Sequence, residues 1–304
     1  MFHKSLVMVG FLVAILMSSP GGFAAELMVG TAVIDITPKE PVAVSGQFHL
    51  RIANTVETPL TANVIALESR QDGLSRDVAI MVSCDLLYIP SEVLELVRKA
   101  VRERLPDLDT RKLFLNGTHT HTAPVLLRDK YPIPSEGVIQ VKQYRSFLAE
   151  RVVGAIVQAW NSRDVGSVTW GFSHAVVAYN RRAVYADGSA RMYGKTDVVA
   201  FRNLEGYEDH DINTLFFWND SGELAGAVVN VSCPSQEVES RSAVNADFWH
   251  PVREHLRQRF GERLCVLGWT GASGDQSPHL MYRKEADERM RKLRGLTRLE
   301  EIAR

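Results

Sequence analysis

The sequence predicts an α/β fold, with mixed sheets flanked by helices. Three observations carry this expectation. Short apolar runs rich in β-branched residues alternate with amphipathic helical segments through the first half. Two further apolar runs flank the turn Asn219–Gly222 and form a hairpin pattern. No internal repeat or low-complexity linker divides the chain, so a single domain over 26–304 fits better than two.

Each element has its own signature. Leu27–Ile36 is a β-rich run closed by Thr37-Pro38, and Pro41–Arg51 is irregular around Gly46. Thr61–Leu67 and Val78–Ser83 read as strands on either side of the turn Gln71-Asp72-Gly73. A helix follows, with Ser91 as its cap, Val93, Leu94, Val97 and Val101 at helical spacing, and Pro106 as its stop. Lys112–Leu115 is a short strand that leads into a histidine-rich loop. Tyr144, Leu148, Val152, Ile156 and Ala159 form one stripe of a helix from Val141 to Trp160. Val168–Phe172 is another strand, and the polar stretch Tyr179–Gly194 reads as loop. Thr214–Trp218 and Ala225–Val231 make the hairpin, Asn245–Phe260 a helix and Leu264–Leu267 the last strand. Thr297 and Glu300 have capping-box spacing, and the chain stops at Arg304 within two turns of that start. The expectation is a domain incomplete at its C-terminus.

Composition excludes several classes. The chain has 304 residues, 35 Lys+Arg against 36 Asp+Glu, and 45% hydrophobic residues. That is a globular balance with no basic excess, so it gives no case for nucleic acid as partner. Met1–Ala25 reads as a secretory signal: Lys4, the uncharged run Leu6–Met17, then the small residues Ala24-Ala25. Its twelve apolar residues span about 18 Å as a helix, short of the roughly 30 Å of a bilayer core. The expected location is therefore secreted or periplasmic, with no transmembrane segment after signal removal. Of the three cysteines, Cys84 and Cys265 sit in apolar strand-like runs and read as buried structural thiols.

Three stretches carry candidate chemistry. In Asn116–Pro124, His119 and His121 are two residues apart, so in extended chain they point to opposite faces. His119 is a candidate zinc ligand, and His121 a candidate for substrate contact; two hydrogen-bonded loop histidines are the plainer alternative. In Asn230–Glu237, Cys233 is a thiolate ligand, a nucleophile or an inert buried thiol. In Gly271–His279, the glycines permit tight turns that present amide N–H groups, and Asp275 and Ser277 are the polar side chains placed for a pocket. Arg181, in a segment shared with Tyr179, Tyr185 and Tyr193, is a candidate fork for an anionic group. The patterns GxxxxGK[ST], GxSxG and HExxH are absent.

The order of GTAVIDITP, THTHTAP, the Asn-Arg-Arg segment, VSCPSQ and GDQSP resembles the N-terminal catalytic region of the neutral/alkaline non-lysosomal ceramidases. The resemblance covers nearly all of 26–304. It implies a four-layer fold, with two sheets between helical layers, and a zinc-activated water that cleaves the amide of ceramide in sphingolipid metabolism. It implies His119 as zinc ligand, His121 at the reacting amide, and Arg181 and Ser277 in the active site. Cys233 falls where the family has its second zinc-ligating histidine, so the implied Zn2+ site is altered. A lipid or other small-molecule substrate follows, with peripheral membrane contact. The competing expectations are a rewired enzyme acting on carbohydrate or another polar substrate, and a non-catalytic binding protein.

Overall fold

The computed structural model describes residues 25–304. The expected signal Met1–Ala25 falls outside them except for its last residue. The elements are β1 (Glu26–Asp35), β2 (Val42–Val44), β3 (Arg51–Ala53), β4 (Thr61–Gln71), β5 (Leu74–Cys84), α1 (Ser91–Arg104), β6 (Leu113–Gly117), α2 (Val141–Asn161) and β7 (Asp164–His174). Then come β8 (Tyr179–Asn180), β9 (Arg182–Tyr185), β10 (Ala190–Met192), β11 (Phe201–Leu204), β12 (Asp211–Asn219), β13 (Leu224–Val231), α3 (Trp249–Phe260), β14 (Cys265–Thr270), β15 (Gln276–Ser277), α4 (Lys284–Leu293) and α5 (Arg298–Ile302).

The principal sheet has eight strands in the order β14-β13-β12-β7-β1-β4-β5-β6. It is mixed. Only β5–β6 and β13–β14 are parallel pairs, and each is joined by a crossover helix, α1 and α3 respectively. The remaining neighbours are antiparallel. The sheet curls so that β14 packs over β4, β5 and β6. Ile65, Met81, Phe217, Val228, Cys265 and Leu267 fill the space inside the curl. Helix α2 lies on β1 and β4, beside α1, and buries Tyr144, Leu148, Val152, Ile156 and Ala159. Each such large side chain withdrawn from water contributes roughly 1.5–3 kcal/mol before entropy is charged. The curl has one consequence for position. The Ser83 hydroxyl and the Asn116 amide both donate to the Gly268 carbonyl, and the Thr270 hydroxyl donates to the Thr118 carbonyl. The carboxyl ends of the strands in the two parallel pairs therefore meet at one place, where α/β sheets generally bind ligands.

Three expectations differ in detail. Helix α1 has Pro90, not Ser91, at its N-cap, and no side chain caps it. The segment Tyr179–Gly194 holds three short strands, with β9 and β10 turning at Asp187-Gly188. There Asp187 accepts from the Ser189 N–H and hydroxyl, an Asx turn that hides inside a polar sequence. Helix α3 starts at Trp249 rather than Asn245, because Asn245 and Asp247 spend their side chains on backbone N–H groups of 247, 248 and 238. Pro251 then sits in the first turn, where no intrahelical N–H bond is lost. The Thr297–Glu300 capping box forms as expected, and α5 packs Leu299 and Ile302 on the cluster that includes Phe248 and Trp249 of α3's start. Among the described residues no helix is long and apolar enough to cross a membrane.

Candidate active site

The histidine loop leaves β6 under tight control. Thr118 and His119 donate backbone N–H bonds to the Cys84 and Leu86 carbonyls. The hydroxyls of Thr120 and Thr122 both donate to the Asn245 carbonyl at 2.8 Å. All three threonines of the loop are buried. His119 takes a left-handed backbone, φ 65°, and this reverses the alternation of an extended chain. The two imidazoles consequently stand together, with ring centroids 5.2 Å apart. Gly46, at φ 102°, is required beneath them, since a Cβ there would lie 2.3 Å from the His121 ring.

His121 is the centre of a polar network. Its Nε2 is 2.6 Å from the Gln236 side-chain nitrogen, and its Nδ1 is 3.3 Å from a Glu239 oxygen. This arrangement gives His121 a lone pair at Nε2 and a proton at Nδ1. Burial works to raise the Glu239 carboxyl, but His121 beside it prevails and holds it low. Gln236 accepts from Arg181 Nη1 at 2.8 Å, and the same nitrogen donates to the Tyr193 hydroxyl at 3.1 Å. Tyr193 in turn donates to Ser277 Oγ at 2.9 Å. The hydrogen-bonded chain His121–Gln236–Arg181–Tyr193–Ser277 is thus continuous, with Glu239 in ion-pair range of His121 at one end. His279 joins it twice, by its N–H to Ser277 Oγ and by its ring to the Gln236 carbonyl. The buried guanidinium of Arg51 ties the loops together, donating to the carbonyls of Ser45, His121, Glu239 and Arg241.

Of the expected site residues, His119, His121, Arg181 and Ser277 come together here. Asp275 joins through its backbone carbonyl, which accepts the Arg181 N–H, while its carboxylate takes the Asn180 amide. Cys233 makes no hydrogen bond to any of these side chains. It is wholly buried in an apolar cluster with Val177, Val231, Phe248 and Trp249, and its thiol faces the Val177 and Pro234 carbonyls. Burial, then Asp247, pushes that thiol well above its ordinary value. All three cysteines are free and buried. Gln236, Glu237, Glu239 and Gly46 were not singled out by the sequence reading. Gln236 closes the motif VSCPSQ, and Glu237 follows it directly.

A zinc ion can be tested against these donors. His119 fits: burial, then His121, pushes its imidazole down to about 4, so it is neutral at pH 7 and keeps a lone pair. The Leu87 backbone lies within hydrogen-bonding reach of the ring, the usual support of a ligating histidine. Cys233 does not fit beside it, because its protonated thiol is spent on carbonyls in an apolar pocket. Among the described residues no group of three or more His, Cys, Asp or Glu is disposed to hold a metal.

Two solved structures share the architecture. A neutral ceramidase from Pseudomonas aeruginosa superposes with a TM-score of 0.69 at 16% identity, over 92% of this chain and 43% of that one. A ceramidase complexed with C2 gives 0.67 at 16% identity, over 92% and 42%. The likeness establishes a shared fold, with mixed sheets flanked by helices. The chain spans less than half the length of either structure. No protein-family model and no curated protein matches the sequence.

Proposed function

We propose that this chain is a zinc-dependent hydrolase that cleaves an amide bond of a lipid-like substrate, outside the cytoplasm. The fold shared with the two ceramidases and the THTH and GDQSP motifs support the class. The observation that carries the reading is the network itself. Two imidazoles are turned to one side by the backbone of His119, and one of them, His121, is joined through Gln236, Arg181 and Tyr193 to the serine of a motif about 150 residues away in sequence.

His119 would supply one ligand to the metal, which when bound supplies a Lewis acid and an acidified water. The protein's own part is positional. His121 stands beside Glu239, and its Nε2 would serve as a proton acceptor once substrate displaces the Gln236 amide that holds it. Arg181 brings fixed positive charge next to the Tyr193 hydroxyl of the network. Thr120 and Thr122 hold the histidine loop so that little reorganisation is needed.

The reading is tested by release of free amine from N-dodecanoylsphingosine in zinc-containing buffer. We expect turnover by the wild type and a loss of about 100-fold or more in His121→Ala, as removal of a general base gives. Equal rates in both proteins would refute the assignment of His121. A secreted or periplasmic location belongs to the same reading and is tested by N-terminal sequencing of exported protein, with cleavage after Ala25 expected.

A further inference from the structure

The hydrolytic reading leaves open which group of the network meets the substrate, and the geometry decides against the two obvious candidates. Ser277 is 0% exposed. Its Oγ already accepts from Tyr193 Oη at 2.9 Å and from the His279 N–H at 3.0 Å. A hydroxyl oxygen has two lone pairs, so Ser277 has none left with which to attack a carbonyl. Arg181 is 8% exposed. Its fork turns inward, to Tyr193 and Gln236 through Nη1 and to the Gly274 carbonyl through Nη2.

Tyr193 is the residue that Arg181 and Ser277 share, and it is 42% exposed. Its backbone is left-handed, φ 52°, a conformation that a bulky L-residue adopts at a cost and one that collects at functional sites. A hydrogen bond of 2.7 Å from its N–H to the Arg181 carbonyl holds that turn. The ring lies 5.5 Å from the Arg181 guanidinium and stands edge-on to His279. Tyr193 thus reaches the surface while its hydroxyl stays in the network, between Arg181 and Ser277.

We infer that Tyr193 is the catalytic hydroxyl that this site presents to its substrate, an acyl compound recognised through an amide or carboxylate oxygen. The Tyr193 O–H turns from Ser277 Oγ to that oxygen and donates a hydrogen bond to it as negative charge develops. No bond to carbon forms at Tyr193, and its proton stays on the phenol. Arg181 is a positioning residue that acts through Tyr193, because its N–H on Oη polarises the phenol. This rests on the hydrolytic reading for the reaction, and on the oxygen-acceptor chemistry alone for binding.

Tyr193→Phe tests the inference, since it removes the hydroxyl and keeps the ring against Arg181 and His279. Amine release, binding of dodecanoate by calorimetry and the melting temperature are read on the same preparations. We expect kcat to fall by about 100-fold or more while KM stays within about 3-fold, the pattern of a donor used in the transition state. Dodecanoate affinity falls about 10-fold, and Tm moves by less than about 2 °C. Retention of kcat within about 2-fold overturns the inference, as does a loss of activity matched by a loss of Tm, which marks a structural hydroxyl. If the wild type releases no amine, the hydrolytic reading fails separately and dodecanoate decides. Weaker binding to Tyr193→Phe upholds Tyr193 as the contact; equal binding, or none to the wild type, overturns it.

Discussion

His119 and Cys233 stand in sequence motifs that invite one metal site, yet their surroundings are opposite. His119 is neutral, partly open and backed by a backbone group, whereas Cys233 is a protonated thiol in an apolar cluster. A thiol becomes a ligand only as the thiolate, and burial among Val177, Phe248 and Trp249 opposes that charge. Bound zinc measured by elemental analysis therefore has an expected pattern. It is lost in His119→Ala and retained in Cys233→Ala. Loss in both variants would return Cys233 to the metal shell. Removing the buried thiol leaves a small void, so Cys233→Ala is expected to cost about 1 kcal/mol in stability and little in metal.

Elements place these residues, and two contacts do most of it. Gly46 lies under the His121 ring in a conformation that L-residues avoid. Gly46→Ala should therefore displace His121: activity falls by about 10-fold or more, with a stability loss of about 1–3 kcal/mol. Unchanged kinetics would show that the ring yields freely. The buried pair Asp85–Arg253 joins the end of β5 to α3, and Asp85 also receives the Thr61 N–H and hydroxyl. Arg253→Met would leave Asp85 as an uncompensated buried charge and is expected to cost about 3–5 kcal/mol in urea unfolding.

The same scale shows what was legible in the sequence. Strands β4, β5 and β13 and helix α2 announced themselves, because hydrophobic period follows directly from which face is buried. The turn at Asp187-Gly188 did not, since Asx turns use the residues that loops use. His119, His121, Arg181 and Ser277 were found by motif, and the fold brings them together. Of their partners, Tyr193 was named with Arg181, whereas Gln236 and Glu239 were not. Gln236 and Glu239 matter because the 233–245 segment folds back over His121, a long-range contact with no local signature. The left-handed backbone at His119 and Tyr193 is equally silent in sequence, because only a few per cent of residues other than glycine adopt it.

Across the whole molecule, two buried groups titrate in opposite senses. Burial pushes the Glu237 carboxyl from 4.5 up to about 7, with Arg298 offsetting part of it. Between those values the folded state binds more protons than the unfolded, so Glu237 costs stability as pH rises from about 4.5 to about 7. His119 is the reverse. Its folded value of about 4 lies below 6.5, so the stability it contributes is present above about 6.5 and is lost as pH falls through about 4. The two slopes oppose each other through the mildly acid range. Glu237→Gln removes one of them. Urea unfolding should find this variant more stable than the wild type at pH 8, by on the order of 1–3 kcal/mol, with the difference gone near pH 4.5. An equal gain at both values would contradict a raised Glu237.

The curl of the sheet, which brings the carboxyl ends of both parallel pairs to one place, has functional meaning only if that place hydrolyses an acyl bond. The most direct test is a single turnover of N-dodecanoylsphingosine in water enriched in oxygen-18, with the released dodecanoate weighed by mass spectrometry. The account predicts release of the amine together with one heavy oxygen in the carboxylate. No dodecanoate above the blank, or dodecanoate free of heavy oxygen, would contradict it.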